Sequence, residues 1–259
     1  HSAPAVYNGC LYVLDYNEIK RQEQLRCFNL ETGAEIWRRA YKLKMKRNHG
    51  FSRTVPAIAN NTVVSFGPLC HIMALDATTG YLKWTKDLVK EYGSKVPFWY
   101  GGQCPYIDGN TVVLAPAGTD KLLIGLDLET GKELWSTPNR SKIIMSHSSV
   151  MPMTFNGRKM YVYCGIGGMV GIAADGPDLG QILWQTNAFK ASVIAPSPLV
   201  FNDGRIYMTA GYGAGSITFQ LSETDGKFSV AAVNQLQAKE GLASEQQTPI
   251  HDKDKVFII

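Results

Sequence analysis

Six side chains with chemistry to offer recur along the chain: His49, Arg53, Trp99, Tyr100, Gln103 and His147. They supply ring faces for stacking, a guanidinium for an anion or carbonyl, and imidazole and amide groups that hydrogen-bond in either sense. That set can hold a ligand. Turnover would need more, and no Ser/His/Asp or Cys/His/Asn order stands out, nor do paired carboxylates recur. No catalytic residue and no metal ligand is assigned. His71, beside Cys70, reads as structural. Gly165-Ile166-Gly167-Gly168 and Gly211-Tyr212-Gly213-Ala214-Gly215 resemble phosphate loops only superficially. Strand-like sequence follows each, where a phosphate loop requires a helix N-terminus.

The elements that must position these residues come from a repeat. Ala74-Leu75-Asp76-Ala77-Thr78-Thr79-Gly80-Tyr81-Leu82-Lys83-Trp84 returns around Asn29, Gly33 and Trp37, and again around Asp127, Gly131 and Trp135. A fourth copy, Ala174 to Trp184, reads with one extra residue in its turn. A fifth keeps Thr224-Asp225-Gly226 and has Val230 where Trp is expected. Successive glycines of the motif lie about 46 to 51 residues apart, a period typical of propeller blades. Each copy reads as strand, bend, strand. Asn29, Asp76, Asp127 and Asp175 are expected to accept backbone amides in the bend, and Gly33, Gly80, Gly131 and Gly180 to supply positive φ. Trp37, Trp84, Trp135 and Trp184 are expected to fill space between blades and to aim an indole N–H at a carbonyl.

A second series supports the first. Pro4, Pro56, Pro105, Pro152, Pro198 and Pro249 each precede an apolar strand by about seven residues, often with Asn-Gly or Asp-Gly between. The predicted fold is therefore all-β: a β-propeller of four-stranded antiparallel blades in a single domain, 1–259. Blades are expected near 1–47, 48–96, 97–144, 145–190 and 191–242, with a partial one at 243–259. On that count about five and a half blades are present. The six candidate binding residues then fall at the starts of inner strands, around the mouth of a central channel. Short helices are expected at Leu88 to Gly93 and, more strongly, at Val233 to Gly241.

Ala74, Asp76, Thr79, Gly80 and Trp84 match every fixed position of the tryptophan-docking motif of quinoprotein-type β-propellers. The chain resembles that pyrroloquinoline-quinone-like repeat family over nearly its whole length, and the resemblance implies a parent propeller of six to eight blades. In style it is most similar to the non-catalytic propeller lipoprotein of outer-membrane barrel assembly. The resemblance implies one of two functions. The first is a non-catalytic scaffold with no cofactor, binding a protein or polysaccharide partner in the periplasm or outside the cell. The alternative is an alcohol or sugar dehydrogenase using pyrroloquinoline quinone over Ca²⁺. Family enzymes place the quinone against two adjacent cysteines, and no Cys-Cys pair occurs here. Trp99 alone offers a stacking face. The scaffold is preferred.

Composition agrees with a globular, turn-rich all-β protein: 45% hydrophobic residues with 25 Gly and 12 Pro. A net charge of +4 is too small to argue for nucleic acid, and none is expected as a partner. The densest charge, Arg38 to Arg47, could face an anionic partner or could simply guard a strand edge. No apolar run is long enough to span a membrane. Cys10, Cys27, Cys70, Cys104 and Cys164 show no metal spacing, and a Cys10–Cys27 bridge within the first blade is conceivable.

Overall fold

Proline marks the start of nearly every first strand, because the ring lacks the N–H that a paired residue would donate. A computed structural model describes residues 3–47, 50–240 and 243–258. Pro4 precedes β1 (Ala5–Tyr7), which pairs with β2 (Cys10–Asn17), β3 (Gln22–Asn29) and β4 (Glu35–Lys42) in sequential order. Pro56 precedes β5 (Ala57–Ala59), followed by β6 (Thr62–Phe66), β7 (His71–Asp76) and β8 (Leu82–Asp87). A one-turn helix, α1 (Leu88–Tyr92), follows, capped by the Asp87 carboxylate. The third sheet holds β9 (Tyr106–Asp108), β10 (Thr111–Leu114), β11 (Lys121–Asp127) and β12 (Glu133–Pro138). The fourth holds β13 (Met151–Phe155), β14 (Arg158–Gly165), β15 (Gly168–Ala173) and β16 (Ile182–Thr186). The fifth holds β17 (Leu199–Val200), β18 (Arg205–Ala210), β19 (Gly215–Thr224) and β20 (Lys227–Leu236). Two further strands, β21 (Ile250–Asp252) and β22 (Lys255–Phe257), form a small antiparallel pair.

Five sequentially ordered four-stranded antiparallel sheets followed by a two-stranded one define a β-propeller fold. The chain divides into two compact units, His1–Leu114 with Gly125–Leu134 and Ala115–Ile124 with Trp135–Ile259, the division running through the third sheet. Leu25, Cys27, Val63, Met73 and Leu75 are central to the core of the first unit. Met160, Val162, Ile206, Met208 and Phe219 anchor that of the second.

Inside the first unit the repeat works as one device. The Asp76 carboxylate accepts from the Thr79 amide and hydroxyl, both at 2.8 Å. Asn29 and Asp127 do the same with Thr32 and Thr130. The bend closes at Gly80, at φ +71°, directly beneath the Trp37 indole: a Cβ there would sit 2.7 Å from the ring. Trp37 then donates its N–H to the Ala77 carbonyl at 2.9 Å. Trp84 repeats this with Leu128 O at 2.9 Å and with Gly131. In the second unit Trp135 lies against Gly180 and stacks on Tyr161, ring planes 6° apart.

Trp184 departs from the series. It turns into its own sheet, its Nε1 3.3 Å from Met160 Sδ, over Gly171, where a Cβ would lie only 2.1 Å from the indole nitrogen. The fourth turn also differs from expectation. Gly180 N donates to Ala173 O as Gly80 N donates to Asp76 O, so six residues (174–179) stand where 77–79 suffice elsewhere. Asp175 is therefore no turn-maker. It pairs with Arg158 at 3.3 Å, and Asp178 binds the same guanidinium.

The fifth repeat needs a register correction. In each irregular ladder the partner before the shift is the Trp itself: Cys27 with Trp37, Ala74 with Trp84, Gly171 with Trp184. In the fifth, Thr218 pairs with Asn234, so Asn234 occupies the Trp position and Val230 pairs instead with Leu221. The β19–β20 ladder runs on to Thr224–Lys227, closed by Asp225 and Gly226 at φ 51° and 74°. The helix expected at Val233 to Gly241 is for this reason strand as far as Leu236, followed by a 3₁₀ turn at Ala238–Glu240; Gly241 lies outside the described residues.

Two alanine substitutions separate the backbone from the packing contribution. Gly9 sits at φ +72° with nothing near a would-be Cβ, so Gly9→Ala should lower stability by about 1 kcal/mol. Gly80→Ala shares that φ and adds the collision with Trp37, and should cost at least twice as much in urea denaturation. Equal costs would show that the indole contact carries no weight.

Candidate functional site

The segments that lead into β5 and β9 hold four of the six candidate residues, all in the first unit. Arg53 sends its guanidinium to the Trp99 carbonyl. Burial lowers the Arg53 pKa, opposed by Tyr100. Tyr100, itself at φ 72°, donates its hydroxyl to Lys46 O at 2.7 Å. Val55 N donates to Cys104 Sγ at 3.3 Å, and Gln103 is fully buried. Thus Arg53 and the 97–104 segment are brought together, their side chains tied to main-chain groups of the facing segment. Phe98 stands out, 79% exposed and edge-on to Trp99 with ring centroids 4.6 Å apart. His49 lies outside the described residues.

Behind this segment is a group the sequence reading passed over. Glu23 is 0% exposed in β3, on the same face as Leu25 and Cys27. Ser52 donates to its Oε1 at 2.8 Å, while Oε2 has no hydrogen-bond partner among the described residues. Burial pushes the carboxyl up to about 8, Ser52 opposes this, and Asp15 adds to it. Tyr41 is its cross-strand partner, and the phenol is held far above its usual range by burial first and Glu23 next. Glu23 is thus a neutral acid near pH 7. Its alternation with Leu25 and Cys27 was the available signal, since a polar residue in register with core positions must be buried.

In the second unit, His147 lies between Ser146 and Ser148, both buried. His147 N donates to Ile194 O at 2.9 Å. Ser146 donates to Cys164 O at 2.7 Å, and its amide donates to the Tyr163 hydroxyl. The hydroxyls here fasten the entry to β13.

The remaining motifs resolve structurally. Both glycine-rich stretches are tight links between second and third strands, leading into β15 and β19. Arg38 to Lys42 belong to edge strand β4, where Arg38 pairs with Glu35 at 2.8 Å. Arg26 binds Glu35 at 2.5 Å and Asp15 at 3.1 Å. All five cysteines are free thiols, so Cys10 and Cys27 form no bridge. Burial pushes Cys27 up to about 11 and Cys70 and Cys164 up to about 12, which leaves them poor nucleophiles. His71, 3.6 Å from Asp87, is lowered by burial despite that carboxylate.

A quinone over Ca²⁺ would need several oxygens converging on the ion. Among the described residues no three His, Cys, Asp or Glu side chains come together. The fully buried acid, Glu23, is neutral near pH 7 and bound to Ser52, and the strand entries offer a guanidinium, an amide and aromatic rings. These residues do not fit the group.

A propeller of Asx-Thr-Gly bends docked under indoles belongs to the quinoprotein-like class of repeat propellers. The family model described as outer membrane protein assembly factor BamB matches residues 21–259, and the chain belongs to that family. Its fold is similar to BamB from Moraxella catarrhalis, with 15% identity and a TM-score of 0.61 over 98% of this chain and 64% of that one. It is also similar to a europium-containing methanol dehydrogenase, at 13% identity and TM-score 0.56, covering 89% of this chain and 50% of that one. The quinohemoprotein alcohol dehydrogenase from Comamonas testosteroni gives 16% and 0.55, covering 94% and 54%. The chain thus spans about two thirds of that BamB and about half of these dehydrogenases. No curated protein matches the sequence.

Glu23 makes stability depend on pH in a definite sense. Its folded pKa, about 8, lies above the ordinary 4.5. The stabilisation of the neutral form is complete below pH 4.5 and is lost as pH rises towards 8. The urea midpoint of the wild type should therefore fall between pH 5 and 8. Glu23→Gln, which keeps the shape without a titrating proton, should flatten that fall. An unchanged slope in the variant would remove Glu23 as its source.

Proposed function

We propose that this chain is a non-catalytic scaffold that binds a protein partner in the cell envelope, in the outer membrane protein assembly its family is described by. The family match over residues 21–259 carries the reading. The geometry of the strand entries supports it: Arg53, Ser52 and Tyr100 hold carbonyls and a buried acid in place. The scaffold works without a resident cofactor and sits in the periplasm or outside the cell. Phe98 and the Trp99 edge supply an apolar contact on a backbone that Arg53 fixes, the kind of rigid aromatic anchor on which interfaces concentrate their affinity. No helix among the described residues is long and apolar enough to cross a membrane.

A photocrosslinker placed at Phe98 in the native cell should trap an envelope protein. Phe98→Asp should weaken that partner's binding on the order of tenfold or more without moving the melting temperature. Deleting the gene should lower the amount of assembled outer-membrane protein. Unchanged outer-membrane protein levels would sink the assembly role, and crosslinks only to polysaccharide would replace the partner class. Visible absorbance with dye-linked alcohol oxidation on adding pyrroloquinoline quinone and Ca²⁺ would overturn the non-catalytic reading.

A further inference from the structure

Arg26 and Arg38 bind Glu35, Lys83 binds Glu129, Arg158 binds Asp178 and Arg205 binds Asp203. One stretch of the first unit is not balanced in this way. The link between β2 and β3 and the segment leaving β4 run side by side, with Leu43 N donating to Arg21 O at 3.0 Å and the Tyr16 hydroxyl to Leu43 O at 2.7 Å. Together they expose Lys20, Arg21, Lys42, Lys44, Lys46 and Arg47. Glu18, 3.8 Å from Arg47, is their one acid. Six cations against one acid exceed the net charge of the whole chain, +4. Lys42, Lys44 and Lys46 are exposed, while Leu43 is buried and Met45 half-buried. That alternation sets three ammonium groups along one side of an extended segment, roughly 7 Å apart. The Tyr100 hydroxyl, donating to Lys46 O at 2.7 Å, joins the end of this row to the segment that presents Phe98. Ile19, in the adjoining β2–β3 link, is 96% exposed.

We propose that this row is a docking track for an extended, acidic segment of the partner protein, whose carboxylates meet Lys42, Lys44 and Lys46 and whose apolar residue covers Phe98. The proposal rests on the scaffold reading above and adds the partner's chemistry to it. Spacing selects the occupant. Acidic side chains at alternate positions of an extended chain repeat at the same interval as the lysines, so each carboxylate meets one ammonium. An anionic bilayer offers charge with no such register. Exposed ion pairs contribute little singly, so the row supplies steering and register while Phe98 supplies the apolar burial.

Fluorescence anisotropy with a short labelled peptide, Glu alternating with Thr and Leu at one end, should show saturable binding. Its affinity should fall on the order of tenfold or more between about 0.05 and 0.5 M salt. Lys44→Glu/Lys46→Glu should abolish binding at an unchanged melting temperature and should gain binding to the peptide carrying Lys in place of Glu. Lys44→Ala/Lys46→Ala, which introduces no repulsion, should fall between that variant and the wild type. Lys227→Glu, an exposed charge in β20, should bind as the wild type does. A peptide of the same composition with its glutamates in one block should bind more weakly. Equal affinity for block and alternating peptides, or for the charge-reversed and wild-type proteins, overturns the proposal, and so does binding to phosphatidylglycerol vesicles alone. In cells, outer-membrane protein levels that drop on gene deletion yet stay normal with Lys44→Glu/Lys46→Glu would overturn it and leave the scaffold reading intact. Peptide binding as described, with those levels untouched by deletion, would uphold the docking track and remove only the assembly role.

Discussion

Everything regular in this chain follows from one contact: an indole laid over a glycine in the next sheet's bend, its N–H given to a carbonyl of that bend. Trp37 with Gly80 and Ala77, and Trp84 with Gly131 and Leu128, meet the same geometric requirement at 2.9 Å. A side chain on the glycine would displace the ring. A looser bend would misplace the carbonyl, which is why Asp76 and Asp127 each take two hydrogen bonds from a threonine three residues on. Sheets of four short strands bury little by themselves, and coupling to neighbours supplies the stability of a repeat array. The motif Asx-x-x-Thr-Gly-x-x-x-Trp is thus both halves of a joint written in one segment, receiver first and indole second.

Where the receiver is missing, the surrounding structure changes with it. Gln220 stands at the place of Asp76, as the Leu221 amide bonded to Gly204 O shows by its match to Ala77 bonded to Asn61 O. Its amide donates to the carbonyls of Asp203 and Leu221 and ties no bend. With no Asx bend to end it, the β19–β20 hairpin continues to Thr224 and Lys227. No glycine is offered to Trp184, which folds back over Gly171 of its own sheet. The long β19–β20 hairpin and the altered tryptophan have a common cause in the loss of that bend.

The sequence shows the joint well because it forces particular residue types at fixed offsets. It shows ladder register poorly. Thr224-Asp225-Gly226 has the letters of the motif's bend but lies beyond it, and only the pairing of Thr218 with Asn234 reveals the offset. Residues 233–241 read as helix because Gln, Ala, Lys and Glu favour one in isolation, whereas strand pairing with β19 overrides propensity as far as Leu236. At the candidate site the limits are of another kind. Arg53 binds a main-chain carbonyl, and main-chain acceptors carry no signature in residue type. Glu23, between Gln22 and Gln24, looks like a solvated stretch until its alternation with Leu25 and Cys27 is followed.

The placement of polar groups also bears on what such a fold can do. An acid or nucleophile that turns over substrate must meet solvent or ligand in a usable protonation state. Here the buried thiols are raised well above neutral pH, and the buried carboxyl is neutral and held by Ser52. Desolvation at Glu23 disfavours the charged form, so the side chain rests among the core residues of β3 as a neutral acid near pH 7. The same burial gives rigid entry segments, with Arg53 and Tyr100 each tied to a carbonyl, so the exposed Phe98 ring is presented from a fixed backbone. A surface of that kind loses little conformational freedom when a partner docks, and that preorganisation lowers the cost of association.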